Sequence, residues 1–280
     1  MTRCDGFEAT TAKLPAVGGP VAVAWSGGKD SALARHRALL SGYRPALLVN
    51  MASADGSVRF HGVDGELVAR QADALGADLL QVPTAPEAYE ARFEEMLGQL
   101  RARSIAGLVF GNLHLADVQA WFETRTARAG LAHVEPLWGW APAEVVAQFL
   151  AAGFRAVVVS VMEDRVDRRW LGAPFDERFV AALAARPDVD VCGERGEYHT
   201  FVYDGPGFRA PVGSRSASPC GPRPTGSARR VRGDLARETL LPSRRSCPSI
   251  SRRPPGSSQP ATCRRRSTST SAASTRGPAP

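Results

Sequence analysis

Lysine is almost missing from this chain. Of 35 lysines and arginines only Lys13 and Lys29 are lysine, and the other 33 are arginine. Cysteine is scarce as well: Cys4, Cys192, Cys220, Cys247 and Cys263 form no CxxC pair and no zinc spacing. That gives no support to a structural metal or a disulfide framework. No run of 18 or more apolar residues occurs, so no segment has the length of a membrane-spanning helix. The first 15 residues carry Arg3, Asp5, Glu8 and Lys13 and lack the apolar core of a secretion signal. These absences predict a cytoplasmic protein with no membrane partner.

What is present divides unevenly. The formal charge is +7, yet residues 1–208 hold 20 basic and 26 acidic residues, a net of −6, and residues 209–280 hold 15 arginines against Asp234 and Glu238, a net of +13. The second stretch also contains 11 of the 21 prolines, 14 serines and no aromatic residue. So few large apolar side chains cannot offset the entropy of ordering, and a disordered basic tail over 209–280 is expected. Such an arm could bind nucleic acid, although the acidic body argues against it. The same composition is what a GC-rich gene encodes when read out of frame. A frameshift near residues 209–214 would remove a final strand.

Before residue 209, apolar runs and helical patterns alternate. "VAVAW" (21–25), "PALLVNM" (45–51), "DLLQV" (78–82), "AGLVFG" (106–111) and "RAVVVSV" (155–161) read as strands. Between them, helices are predicted over 30–42, 64–76, 86–103, 114–130, 142–153 and within 173–187. Strict alternation through the helix at 114–130 predicts an α/β fold with a Rossmann-like parallel sheet covered on both faces, and a second region with the 155–161 strand follows it.

The stretch "VAVAWSGGKDSALAR" (21–35) places Ser26, Gly27, Gly28, Lys29, Asp30 and Ser31 between the first strand and the first helix. Free backbone N–H groups and the helix dipole favour an anion there, and glycine lets the backbone approach a phosphate. Ser26 and Ser31 add hydroxyl donors and Lys29 a point charge. Asp30 would repel a phosphate unless it caps the helix or holds a divalent metal. Ordinary turn chemistry is the competing reading.

"SGGKDS" after a strand is similar to the PP-loop of the ATP pyrophosphatase superfamily, whose members split ATP between its α and β phosphates. "HGVDGELVARQADALG", "GLVFGNLHLADVQAWFE", "EPLWGW", "GFRAVVVSV" and "CGERGEYHTFVYDGPGF" resemble the diphthine–ammonia ligase family over about two-thirds of the chain. Arginine-rich usage is what a GC-rich genome encourages, and it points to a bacterial relative. The resemblance implies an N-terminal segment (1–19), a nucleotide-binding domain (20–130) and a smaller α/β substrate domain (131–208). It further implies ATP and Mg²⁺, adenylation of a carboxylate, and attack by ammonia to give an amide, AMP and pyrophosphate. The acceptor is a small-molecule or protein-borne carboxylate.

With this resemblance Lys29, Asp30, Glu194, Glu197 and His199 become candidate catalytic residues, and Asp30 a candidate metal ligand. Glu197 and His199 share one face if their segment is extended. They could bind Mg²⁺, orient the acceptor or take a proton from ammonium, whereas spacing alone reads as a polar turn before a strand. Candidate nucleotide contacts are Ser26–Ser31, Asn50 and Met51 near adenine, His61, Gly111 and Asn112. His61 reads equally as a solvated loop residue. Asn112 departs from relatives that carry aspartate there, and a neutral amide is a poorer metal ligand than a carboxylate. Trp138, Trp140 and Cys192 read as packing residues. Two other readings stay open: a nucleotide sensor without turnover, and an RNA-modifying enzyme that uses the tail.

Overall fold

The computed structural model describes residues 18–53 and 63–213. The expected His61 contact, nearly all of the 1–19 segment and the tail from 214 onward lie outside the described residues.

Five strands form one parallel sheet: β1 (Pro20–Ala24), β2 (Arg44–Ser53), β3 (Asp78–Thr84), β4 (Gly107–Val109) and β5 (Ala132–Val134). Their order is β3-β2-β1-β4-β5. The chain steps outward from β1 to β3, then crosses back to place β4 on the other side of β1. That reversal puts a crevice at the carboxyl ends of β1 and β4, where open α/β sheets bind ligands.

Alternation along each strand feeds two separate apolar clusters. Val21, Val23, Leu48, Val109 and Val134 point to one face, and Ala22, Leu47, Val49, Leu108 and Phe110 to the other. The second face is covered by Phe93, Met96, Leu97 and Leu100 of α3 (Tyr89–Ala102). Trp121 and Phe122 of α4 (Ala116–Arg128) pack beside them. The first face carries α1 (Lys29–Leu40) and α2 (Gly65–Leu75). Helix α2 is punctuated as its sequence predicts: Asp64 accepts a hydrogen bond from the Glu66 amide, and Gly76 closes the helix at φ +60°.

The remaining elements are α5 (Pro142–Ala151), β6 (Arg155–Val161), α6 (Glu177–Ala184) and β7 (Tyr198–Asp204). These elements follow the alternating part of the chain. β6 and β7 pair antiparallel in a sheet of their own, with register shifts near Ala156 and Val158. Their apolar residues (Ala156, Val158, Phe201 and Tyr203) join the first cluster, so this hairpin-like pair presses on α1. A sequence scan also misses β5, where His133 interrupts the short run Ala132–Val134.

Candidate active site

Ser26 to Gly28 leave β1 and enter α1 at the crevice. Three neighbours fix the shape of this loop. Gly27 has φ +78°, and a Cβ there would lie 2.6 Å from Gln71 Oε1. Gln71 is fully buried and spends its whole amide on the loop's surroundings. It accepts from Trp25 Nε1 (2.9 Å) and donates to the carbonyls of Gly27 (3.0 Å) and Val202 (2.6 Å). Strand β7 contributes twice: the Val202 amide donates to Gly27 O (2.9 Å), and Thr200 Oγ1 accepts from the Lys29 amide (3.0 Å). Ser26 Oγ accepts from the Gly28 amide (3.2 Å) and sits 3.3 Å from Ser31 Oγ, which donates to Gly28 O. From the β4 side Gly111 closes against the start of α1. A Cβ on Gly111 would meet Asp30 C, Asp30 O and Ser31 N at 2.8–3.0 Å.

Lys29 is only 4% exposed. Its ammonium donates to the Cys192 carbonyl and to Asp30 Oδ2 (2.8 Å), and lies 5.2 Å above the Tyr198 ring. Burial alone would strip its proton, but the adjacent Asp30 carboxylate more than offsets this, so the lysine pKa stands well above its ordinary value. Burial pushes the Cys192 thiol and the Tyr198 phenol far upward, leaving both neutral near pH 7. Asp30 is thus the charge that keeps Lys29 protonated. The other oxygen of Asp30, Oδ1, is buried without a protein partner.

Across from this pair lies the segment before β7. Glu194 loses water and faces the Asp30 charge, and its carboxyl is pushed up to about 7. Lys29 and the Leu113 amide oppose that rise. Glu197, 3% exposed, has both oxygens engaged: Oε1 accepts from the Asp190 amide and Oε2 from the Arg195 amide, each at 3.0 Å. It holds the 190–197 loop closed. Burial, helped by the Lys29 charge, lowers His199 to about 4, so its imidazole is neutral at physiological pH.

The structure thus gathers Ser26–Ser31, Gly111, Glu194 and His199 around the first turn of α1, while Glu197 bonds within the 190–197 loop. Asn50 and Met51 face opposite sides of the sheet. Asn50 is buried and donates to Trp25 O (2.7 Å), whereas Met51 turns to the opposite sheet face. Asn112 donates to Glu135 Oε1 (3.2 Å), whose other oxygen takes Gln119 (2.8 Å). Cys192 is a core residue, as expected. Trp140 packs at the edge of the same core, its ring 4.6 Å from the Arg37 guanidinium. Gln71 and Thr200 were not anticipated. Gln71 had a visible signal, a lone amide on the α2 stripe of Val68, Ala72 and Leu75. Among the described residues no three His, Cys, Asp or Glu side chains gather as a metal site. The orphaned Asp30 oxygen suits a hard cation whose shell phosphate oxygens complete.

A parallel α/β sheet with this glycine–serine loop at its switch point defines an ATP-binding protein of the PP-loop type. The chain matches the diphthamide synthase N-terminal domain over residues 19–133 and the diphthamide synthase C-terminal domain over residues 141–217. It belongs to the diphthamide synthase family. Curated relatives include a diphthine–ammonia ligase of Bos taurus, 25% identical over 69% of this chain and 81% of that one. The human protein of the same name is 24% identical over the same shares. A solved structure, a predicted subunit of tRNA methyltransferase from Methanocaldococcus jannaschii, aligns with a TM-score of 0.40 at 18% identity. It covers 67% of this chain and 98% of that one.

Proposed function

We propose that the protein is an ATP-dependent ligase that activates a carboxylate and passes it to ammonia. The observation that carries this reading is the facing of two groups: the phosphate loop on α1, and Glu194 on the segment before β7. A carboxylate oxygen of the acceptor attacks the α-phosphorus of ATP, the α–β bridging bond breaks, and pyrophosphate leaves. Ammonia then attacks the acyl carbon of the mixed anhydride. AMP departs with the bonding pair, an amide forms, and the nitrogen gives up one proton.

On this reading residues 20–130 bind ATP and residues 131–208 bind the acceptor. Ser26, Gly27, Gly28 and Ser31 present donors to the phosphates, with Gly111 keeping the space beside them narrow. Lys29 supplies the positive charge, released from the Cys192 carbonyl toward the incoming anion. A Mg²⁺ ion held by Asp30 would supply further neutralisation of pyrophosphate. Glu194, with its carboxyl near 7, has the proton affinity to take the proton from ammonium, since a base works best with a pKa near the operating pH. Neutral His199 orients the acceptor, and Glu197 keeps the loop that presents Glu194 in place.

The test is a panel of carboxylic acids incubated with ATP and ammonium, scored for AMP, pyrophosphate and amide in equal amounts. Release of ADP, or AMP formation that no acid and no ammonium accelerates, would remove the ligase reading.

A further inference from the structure

A cavity of about 1110 Å³ opens between α5 and α6, bordered by the 188–195 loop. Its walls are apolar, with Val146 and Leu150 on one side and Val180 and Ala184 on the other. That exceeds the room most small-molecule sites offer, and apolar walls with a few polar groups are their usual lining. The cavity also borders the proposed site. Asp190, Val191 and Arg195 line it, and between them in the chain lie Cys192, whose carbonyl receives Lys29, and Glu194, which faces Asp30.

The charges lining it are mostly committed. Arg186 is gripped by both oxygens of Asp188 at 3.0 and 2.9 Å. Asp190 accepts from the Cys192 amide (2.8 Å), and its second oxygen stands 3.7 Å from His114 Nε2. Glu177 is exposed on the first turn of α6. Arg195, like Glu177, is exposed and has no ion-pair partner among the described residues, and of the two it is the one that adjoins Glu194 in the chain. The ring of Trp140 already carries the Arg37 guanidinium. An anionic ligand with an apolar body finds both walls and a cation.

We infer that this cavity binds the acceptor, and that the acceptor is a small monocarboxylic acid with a medium-length aliphatic or aryl-alkyl body. Its body lies between α5 and α6, and its carboxylate is received by Arg195 beside Glu194. This inference rests on the ligase reading for the fate of the acid, though not for its binding.

Binding is therefore measured apart from turnover, by calorimetry with the full chain and linear acids from butanoate to decanoate. Affinity is expected to rise about fourfold per methylene until the walls are filled. The matching alcohols should bind at least about tenfold more weakly, a charge-assisted contact being lost. Arg195→Leu should erase the preference for acid over alcohol. Ala147→Trp and Ala181→Trp, at exposed wall positions, should weaken octanoate about tenfold or more while ATP still raises the melting temperature normally. No dependence on chain length, or unchanged octanoate binding in both tryptophan variants, overturns the cavity assignment. Dimers that these variants dissolve, with no acid binding in the parent, would make the groove an interface between copies and overturn it too. Acids that bind here but never yield AMP with ammonium would sink the ligase reading alone. AMP formation whose KM for the acid ignores Ala147→Trp would sink the cavity alone.

Discussion

Gln71 Nε2 donates to the carbonyl of Gly27 across 3.0 Å, from the middle of α2 to the loop that joins β1 to α1. Its oxygen simultaneously fits where any Cβ on Gly27 would collide. Replacing Gln71 by Leu leaves Trp25 Nε1 and Val202 O without partners in the interior. Each orphaned buried group costs about 1–3 kcal/mol. Thermal denaturation should show lower stability and, in addition, a smaller stabilisation by ATP. A variant that is less stable yet gains as much from ATP as the parent would limit Gln71 to the fold.

Gly111→Ala tests the same loop from the β4 side. The new methyl would stand 2.8–3.0 Å from the backbone of Asp30 and Ser31, so the first turn of α1 has to move. Overpacking of this kind costs about 1–3 kcal/mol. ATP affinity should fall with stability, and titration calorimetry reads the former directly.

Lys29→Ala removes the buried ammonium and leaves Asp30 as an uncompensated charge between helix and loop. ATP affinity should drop about tenfold or more, and AMP formation should be lost, as measured by nucleotide titration and product assay. Unchanged affinity and turnover would displace the loop from the nucleotide site.

Glu194 and His199 impose opposite pH dependences on stability. The Glu194 carboxyl rises to about 7 on folding, so the folded state binds more protons than the unfolded one between the ordinary carboxylate range and 7. Stability from this group is full at low pH and is lost as pH rises through that window. His199 falls to about 4, so its contribution is present above the ordinary histidine range and is lost as pH falls toward 4. Glu194→Gln should therefore flatten the loss of melting temperature between about pH 5 and 7. The histidine-driven loss at lower pH should stay. If the parent and Glu194→Gln show parallel pH profiles, Glu194 is not the group that titrates.

Glu197→Gln keeps the size but not the chemistry, since an amide nitrogen would face the N–H of Asp190 or Arg195. A drop in stability of about 1–3 kcal/mol is expected. The rate of amide formation should fall because Glu194 is no longer held, with ATP binding near normal. Unchanged stability and rate together would remove Glu197 from both roles.

Much of this was readable before any coordinates. The loop at 26–31 could be placed because glycine, serine and lysine after a β-branched run have few other uses. The α2 caps at Asp64 and Gly76 were equally plain. What failed to show was long-range. β5 is split by His133, and nothing local tells that β6 takes β7 as an antiparallel partner. Glu197 and Glu194 look alike in "GERGEYH", yet one is satisfied by two backbone amides and the other is left facing Asp30. Only the folded loop distinguishes them.

The bond from the Lys29 amide to Thr200 spans 171 residues, and this has a consequence for how the protein is made. A ribosome adds about 5–20 residues per second. The loop at 26–31 is therefore translated about 10–30 s before the strand that braces it. Through that interval β1, α1 and α2 can pair and pack, but Gly27 and Lys29 lack their β7 partners. A nascent chain stalled before residue 198 should fold its first strands and still fail to retain ATP. Competence arrives late and abruptly, when the last described strand docks.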